Sequence, residues 1–289
     1  MNIPKHIILV PVYNDWKSLN KLLTQLNKVF KNYNNLKNEV LIVNDNSTDR
    51  VDIKKNNLSY IKKITVITLN KNLGSQKAIA IGLFYLRKKE KDNFVTIMDG
   101  DGEDDPIQID GMLKEAKKNK NLIITSNRMK RKESVTIQVL YKIHLIITFI
   151  FTFKWISFGN FTTFNSQNIS KILFNNESWC AYSSSVMRNC KIKRLYAKRE
   201  KRYFDKSKLN LLTLMEHSLR VNAVFLPKIF LNSLFYSIII FFAPDILSLN
   251  YIVIFLIIMF NLLLLFIRKK HYIKNLIKID DYIDNIKLL

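Results

Sequence analysis

The sequence predicts an α/β domain, with a mostly parallel sheet and flanking helices, followed by a C-terminal transmembrane helical hairpin. In the first half of the 289 residues, short apolar, β-branched runs alternate with helical patterns, which is typical of parallel strands joined by crossover helices. Apolar residues become denser from about Val135 and dominate residues 224–267. This asymmetry indicates a soluble part followed by a membrane part.

Five buried strands are predicted in the first half, and each ends in polar or glycine residues. They cover residues 6–12, 39–43, 64–69, 94–98 and 122–125. Between the first two strands, apolar residues recur at helical spacing and form one stripe that can pack on a sheet face. The stripe consists of Leu19, Leu22, Leu23, Leu26, Val29 and Phe30.

The hairpin is predicted within residues 223–270, with spans at 226–243 and 246–267 separated by Pro244 and Asp245. The turn between the spans carries no Lys or Arg, whereas both flanks do. The positive-inside rule therefore places both flanks in the cytoplasm. Residues 1–222 form the predicted soluble domain, on the cytoplasmic face of a multi-pass protein of the inner membrane.

Two further apolar segments each allow two interpretations. Residues 136–156 are aromatic-rich but carry Lys142, His144 and Lys154, which favours a helix lying in the membrane interface; a third span is the alternative. Residues 271–289 have apolar residues at roughly helical spacing. They predict a cytoplasmic amphipathic tail that contacts the membrane surface or a second subunit in a homo-oligomer.

Composition narrows the classes of partner. A formal net charge of +23 attracts phosphate, but the sequence has no nucleic-acid-binding module, so anionic lipid is the expected partner and nucleic acid is not. The first residues run directly into a strand without an apolar leader, so no signal peptide is expected. Cys180 and Cys190 are too few for a zinc site or a disulfide scaffold.

The densest acidic segment directly follows the fourth predicted strand, where ligands bind in open α/β sheets. It reads Asp99-Gly-Asp101-Gly-Glu-Asp104-Asp105-Pro106. Oxygen ligands of this kind suit Mg²⁺ or Mn²⁺, so Asp99 and Asp101 are the predicted metal-binding and catalytic pair. The alternative is a solvated acidic turn in which Asp104 or Asp105 caps the next helix.

Other strand ends supply candidate contacts to a nucleotide. A Tyr ring can stack on a base, a carboxylate can accept from ribose hydroxyls, and a glycine turn at a helix start can meet phosphate. The candidates for binding a nucleotide-sugar are Pro11, Tyr13, Asp15, Asp45, Gly74, Lys77 and Asp99. Ordinary roles remain open, since Asn14 or Asp15 can cap the following helix and Gly74 can serve as a plain turn.

Together these motifs resemble family-2 glycosyltransferases, which have the Rossmann-like GT-A fold, and in particular the polyprenyl-phosphate branch similar to dolichol-phosphate-mannose synthase. The resemblance continues through Phe158-Gly-Asn-Phe161 and Glu177 to the basic run after Tyr196. It implies that Asp15 and Asp45 bind the nucleoside and that Asp99 and Asp101 bind the metal and diphosphate. Arg199, Arg202, Ser207 and Lys208 would bind donor and acceptor phosphates, although a lipid-contacting basic patch is the alternative for this run.

The sequence departs from the family pattern at two places. Thr162 and Thr163 stand where an Arg is common, and Asp205 stands where a Gly is common. The predicted reaction is inverting transfer of a sugar from a nucleotide-sugar to a membrane acceptor, polyprenyl phosphate, in cell-envelope glycan synthesis. Alternatives are a hydroxyl acceptor, with Glu177 as a weak base candidate, a non-catalytic scaffold or subunit, and a nucleotidyltransferase.

Overall fold

A computed structural model of the protein describes residues 4–32, 36–89, 92–128, 135–197, 200–204, 211–244, 248–272 and 276–289. The strands are β1 (Lys5–Val12), β2 (Lys37–Asn44), β3 (Lys63–Leu69), β4 (Phe94–Ile97), β5 (Leu122–Arg128), β6 (Phe158–Asn165), β7 (Lys191–Ala197) and β8 (Ile283–Leu288). The helices are α1 (Trp16–Phe30), α2 (Ser75–Lys89), α3 (Gln108–Lys118), α4 (Val135–Thr152), α5 (Ile169–Ile172), α6 (Glu177–Cys180), α7 (Tyr182–Asn189), α8 (Leu211–Ala223), α9 (Leu226–Phe242) and α10 (Leu249–His271).

The strands form one mixed sheet in the order β7-β5-β6-β4-β1-β2-β3-β8. All five predicted strands are present, and β1 pairs in parallel with both β2 and β4. Because side chains alternate across a strand, Ile8 and Val10 pack with α1 on one face, while Ile7 and Leu9 pack with α2 on the other. The predicted stripe of α1 is buried, apart from half-buried Val29.

The prediction of a mostly parallel sheet needs one correction, because three of the described pairings are antiparallel. β6 runs antiparallel to β4 and β5, and β8 runs antiparallel to β3. β6 was not predicted as a strand, because its sequence is rich in Thr and Asn and lacks an apolar run. Thr162, Thr163 and Asn165 are nevertheless fully buried in the sheet.

The predicted helical tail is also wrong in type. Residues Leu276–Tyr282 form a 3₁₀ turn and Ile283–Leu288 form β8, which lies on the outer edge of β3. The edge of β3 offers a row of unpaired N–H and C=O groups, and pairing with them outweighs the helical spacing of a few apolar residues. The end of the chain therefore packs on the catalytic sheet.

The apolar C-terminal segments form helices that pack on one another. In α9 and α10, which run antiparallel, Asn261 Nδ2 donates to Ser233 Oγ at 2.8 Å, and Asn232 Nδ2 of α9 donates to the Phe151 carbonyl of α4 at 2.7 Å. Among the described residues, α4 and α10 are each long and apolar enough to cross a membrane. α8 and α9 meet the same criterion only together, and they are bent by 85° at their junction.

Candidate active site

The loops after β1 and β2 are tied together by one asparagine. Asn14 has a left-handed φ of 48°, and its Oδ1 accepts from the Thr48 amide at 2.9 Å, while its own amide donates to Ser47 Oγ. Asn14 therefore fixes the distance between the two strand ends, which is a role other than the capping that the sequence left open. Tyr13, predicted to stack on a base, is 42% exposed beside it.

Pro11 and Asp15 lie at the same edge. Pro11 is half-buried near the end of β1. Asp15 precedes α1, but its side chain makes no capping hydrogen bond to the helix. The carboxylate is therefore not used as a cap. This arrangement is compatible with the predicted contact to a nucleoside, which stays a prediction.

Asp45 is buried and holds the loop that leads into α2. Its Oδ1 accepts from the Leu73 amide and its Oδ2 from the Gly74 amide, both at 2.7 Å. Burial raises the pKa of Asp45, and the two amide hydrogen bonds oppose that shift. Gly74 has φ +87°, a conformation that favours glycine. Asp45 therefore positions this loop. Each carboxylate oxygen can accept a second hydrogen bond, so the predicted contact with the nucleoside stays a prediction.

The acidic loop after β4 brings the predicted metal-binding pair to the carboxyl end of the sheet. Asp101 is 9% exposed; its Oδ1 accepts from the Glu103 amide at 3.0 Å and its Oδ2 from Arg202 Nη2 at 2.5 Å. The Asp99 amide donates to Asp104 Oδ2 at 3.2 Å. Arg202, predicted to bind phosphate, thus lies directly against the carboxylate that is predicted to bind the metal.

The capping alternative is not confirmed for Asp104 or Asp105, because the N-cap residue of α3 is Ile107 and no side chain caps the helix. Asp105 Oδ1 accepts from the Ile107 amide at 3.0 Å, just before α3 begins. Gly102 has φ +88°, and a Cβ there would lie 2.6 Å from the Tyr203 ring. The Tyr203 amide also donates to the Asp101 carbonyl at 2.9 Å. Glycine is therefore required for segment 200–204 to close over the acidic loop.

Two site residues were missed by the sequence analysis as functional groups. Asn160 on β6 donates to Asp99 Oδ1 at 3.0 Å, and Gln76 on α2 donates to Asn160 Oδ1 at 3.1 Å. Gln76 Oε1 in turn accepts from the Tyr182 amide at 2.8 Å. The Phe-Gly-Asn-Phe motif had drawn attention to residue 160, but only the antiparallel pairing of β6 with β4 brings it to Asp99.

Several predicted contacts lie elsewhere or outside the described residues. Glu177 is 2% exposed, lies 3.1 Å from Arg188 Nη1 and accepts from Asn189, so it has a structural role and is not placed to act as a base. Burial raises the pKa of Glu177. Arg199, Ser207 and Lys208, and also Asp205, lie outside the described residues.

The donor set fits a divalent cation that shares its coordination with a substrate. Mg²⁺ is commonly bound by one or two carboxylates together with substrate phosphates. Asp99 and Asp101 supply two hard oxygen ligands on one loop, and no group of three or more His, Cys, Asp or Glu residues converges among the described residues. The protein alone therefore offers part of a coordination sphere, which the oxygens of a diphosphate would complete.

This geometry agrees with what the comparisons with known proteins found. A family model described as glycosyl transferase family 2 matches residues 7–190, well over half of the chain. The chain belongs to glycosyltransferase family 2. No curated protein sequence matches it.

Solved structures are also similar to this chain. Glucosyl-3-phosphoglycerate synthase from Mycobacterium tuberculosis, solved with Mn²⁺, UDP-glucose and phosphoglyceric acid, has 13% identity and a TM-score of 0.54, covering 78% of this chain and 80% of that one. TarS 1-349 from S. aureus, solved with UDP-GlcNAc, has 17% identity and a TM-score of 0.48, covering 85% and 69%. The likeness to the mycobacterial enzyme shows a GT-A-type α/β fold.

Proposed function

We propose that this glycosyltransferase moves a sugar from a nucleotide-sugar to a lipid acceptor, polyprenyl phosphate, at the membrane surface. The observation that carries the proposal is the acidic loop itself, in which Asp99 and Asp101 are held at the carboxyl end of β4 inside a family-2 domain. The mycobacterial enzyme with the same fold was solved with Mn²⁺ and UDP-glucose. A UDP-sugar with Mg²⁺ or Mn²⁺ is accordingly the first donor to test.

In the proposed reaction, Asp99 and Asp101 would hold the cation, which neutralises the leaving diphosphate as a Lewis acid. Asn160 fixes the orientation of Asp99, since it donates to one carboxylate oxygen. Arg202 forms an ion pair with Asp101 and also lies 3.7 Å from Glu103, so its guanidinium is positioned to meet phosphate oxygens beside the pair. The charged groups that would contact the metal and the diphosphate are therefore already close together without substrate.

The acceptor would attack the anomeric carbon from the face opposite the departing nucleoside diphosphate, which inverts the configuration at that carbon. A phosphate acceptor is already ionised at neutral pH and needs no strong general base. This suits a site in which Glu177 is buried in an ion pair. Catalysis would then rest on positioning and charge neutralisation.

The membrane part of the proposal is supported by exposed apolar surface. Along α9 and α10, large side chains such as Phe235, Phe241, Phe255 and Phe266 are each at least 60% exposed. We propose that these helices enter the bilayer with Arg268, Lys269 and Lys270 at the cytoplasmic end. α4, which packs on α9, would lie in the interface or accompany them.

A donor screen tests the proposal. Membrane extract is supplied with UDP-, GDP- and dTDP-sugars labelled in the sugar, with Mg²⁺ or Mn²⁺, and label transferred to the organic phase is measured. Wild type should transfer label and release nucleoside diphosphate, whereas Asp101→Ala should not. Asp110→Asn is the matched control, because it removes a carboxylate that forms a surface ion pair with Lys114 on α3, outside the acidic loop.

Three results would contradict the proposal. Release of pyrophosphate would indicate a nucleotidyltransferase. Transfer to a water-soluble hydroxyl compound would exclude the lipid acceptor. Equal rates in wild type and Asp101→Ala would remove the acidic loop from the chemistry.

A further inference from the structure

A second charged region lies near the acidic loop. Two consecutive residues of α2 face the two regions, one residue each. Gln76 reaches the acidic loop through Asn160, whereas the next residue, Lys77, places its Nζ 5.7 Å from the centroid of the Trp179 ring. Trp179 is fully buried in α6. The first turn of α2 therefore connects two regions of opposite charge.

Arg220 of α8 approaches the same tryptophan from its main-chain side. Its Nε donates to the Cys180 carbonyl at 2.9 Å, and its Nη2 lies 3.5 Å from the Trp179 carbonyl. A guanidinium has five N–H donors, and these two contacts leave the others for a ligand. The positive charge of Arg220 is one of the causes, after burial, that lower the pKa of Lys77, so the two cations interact.

Carboxylates act on these two cations only from a distance. In the described part of the chain, no carboxylate lies within ion-pair distance of Lys77 or Arg220. The carboxylate nearest to Arg220 along α8 is Glu216, which is engaged by Lys270 at 2.8 Å and His271 at 2.7 Å. Asp45 attracts Lys77 and Glu216 attracts Arg220 only from beyond ion-pair distance. Two partly buried like charges repel one another, and an anion bound between them would lower this cost.

The side chain of Trp179, which Lys77 faces, also carries an unpaired donor. The Trp179 Nε1–H is buried and has no hydrogen-bond partner among the residues that the structure describes. Leaving a buried donor unsatisfied is unfavourable, so this group marks a place in the packing where an acceptor is lacking.

This region lies where the catalytic domain meets the apolar helices. Arg220 is in the last turn of α8, directly before the 85° bend into α9, and Arg268 of α10 donates to the Ala223 carbonyl at 3.2 Å. In contrast, Thr162 and Thr163 are fully buried in β6, so that strand offers no cation to an acceptor.

We propose that Lys77 and Arg220 form the binding site for the phosphate group of the acceptor lipid, at the junction of α2, α6 and α8; this rests on the proposed function. The lipid tail would extend along α9 and α10. The donor diphosphate would remain at the acidic loop, on the Gln76 side.

The site is tested by calorimetric titration of the full chain in detergent with farnesyl phosphate, farnesol and inorganic phosphate. Lys77→Gln and Arg220→Gln should each weaken farnesyl phosphate binding about tenfold or more, since hydrogen bonds to charged groups contribute about 1.5–3 kcal/mol. Farnesol should bind poorly to every variant. Lys228→Gln, which removes a cation beside the apolar helices but outside this region, should keep the wild-type affinity.

The other outcomes are decisive. Equal affinity for farnesyl phosphate in wild type and both variants overturns the site. Inorganic phosphate binding as tightly as farnesyl phosphate, with the same dependence on Lys77, assigns the site to a soluble phosphate and overturns the lipid. A loss of UDP affinity in Lys77→Gln that exceeds the loss of farnesyl phosphate affinity assigns Lys77 to the donor.

The outcomes for the site and for the proposed function are separable. Sugar transfer that depends on Asp101, together with farnesyl phosphate binding that ignores Lys77, would overturn the acceptor site and leave the proposed function standing. Should Arg220→Gln fail to fold, Lys77→Gln alone decides, because the Lys77 side chain makes no hydrogen bond on which the described fold depends.

Discussion

The acidic loop and the pair formed by Lys77 and Arg220 lie near each other, but they are built differently. The acidic loop is crowded with internal contacts, because Asp101 is engaged by Arg202 and by the Glu103 amide. The cationic pair is held by ring and carbonyl contacts, and among the described residues no carboxylate lies within ion-pair distance of it. A cation and its diphosphate must therefore rearrange contacts at the first region, whereas an anion can enter the second without displacing an ion pair.

The largest expected effect is at the acidic loop. Asp101→Asn keeps the size of the side chain but removes the charge that a divalent cation and Arg202 require. Sugar transfer should fall by about 10²- to 10³-fold, as is typical when a group that stabilises transition-state charge is lost. Steady-state rates at saturating metal measure it, and farnesyl phosphate affinity should stay at the wild-type value. Loss of farnesyl phosphate affinity together with sugar transfer would contradict the proposal that the acidic loop and the cationic pair bind different ligands.

The next largest effect is expected where residues 200–204 pack over the acidic loop, and it is an effect on the unfolding free energy. Gly102→Ala forces a side chain into φ +88° and against the Tyr203 ring. The unfolding free energy should fall by about 2–4 kcal/mol, the sum of backbone strain and overpacking, if the segment stays docked. Denaturant unfolding in detergent measures this.

Gly111→Ala is the control for the Gly102 substitution. It lies in α3 with open space around its Cβ, and it should be neutral or stabilising by up to about 1 kcal/mol. If both alanine variants unfold like wild type, Tyr203 does not close over the loop.

Asp45 is expected to affect both regions, since the loop that it holds leads into Gln76 and Lys77. Asp45→Asn directs an amide N–H at one of two backbone N–H groups and should cost about 1–3 kcal/mol. UDP and farnesyl phosphate affinities should fall together. Asp49→Asn, on the exposed end of the β2 loop, should change neither affinity. A loss of UDP affinity alone would mean that Asp45 contacts the nucleoside directly.

The smallest expected effect is on the pH dependence of the unfolding free energy, which must be known before the two regions are compared at different pH values. It arises from a histidine in the core. His6 is fully buried, with Nε2 at 2.8 Å from Thr96 Oγ1, and burial lowers its pKa from 6.5 to about 3. Below pH 6.5 the unfolded chain therefore takes up a proton at His6 that the folded chain does not. The contribution of His6 to the unfolding free energy is fully present above pH 6.5 and is lost as the pH falls toward 3.

Between pH 8 and pH 6 this loss amounts to about 0.8 kcal/mol. His6→Gln can still donate to Thr96 and should abolish this part of the acid sensitivity, which denaturant titrations at the two pH values measure. An equal loss in the variant would assign the sensitivity to other groups.

Sequence reasoning located the acidic loop and the parallel strands because their signals are local. A buried strand followed by Asp99 and Asp101 can be recognised within ten residues. The contacts of Asn160 and Arg220 cannot be recognised in this way. The contact of Asn160 depends on the position of β6 between β4 and β5, and the contacts of Arg220 depend on the packing of α8 against α6. The C-terminal strand was missed for the same reason, since the edge of β3 that it covers lies some two hundred residues earlier in the chain.

The central claim is that Asp99 and Asp101 bind a cation that bridges to the donor diphosphate. Crystals of the full chain grown with Mn²⁺ and UDP, measured at the manganese absorption edge, test it most directly. We expect one anomalous peak within coordination distance of both carboxylates and of two phosphate oxygens, with Arg202 turned from Asp101 toward the diphosphate. Ordered UDP without manganese at these side chains, and Arg202 still paired with Asp101, would contradict the claim.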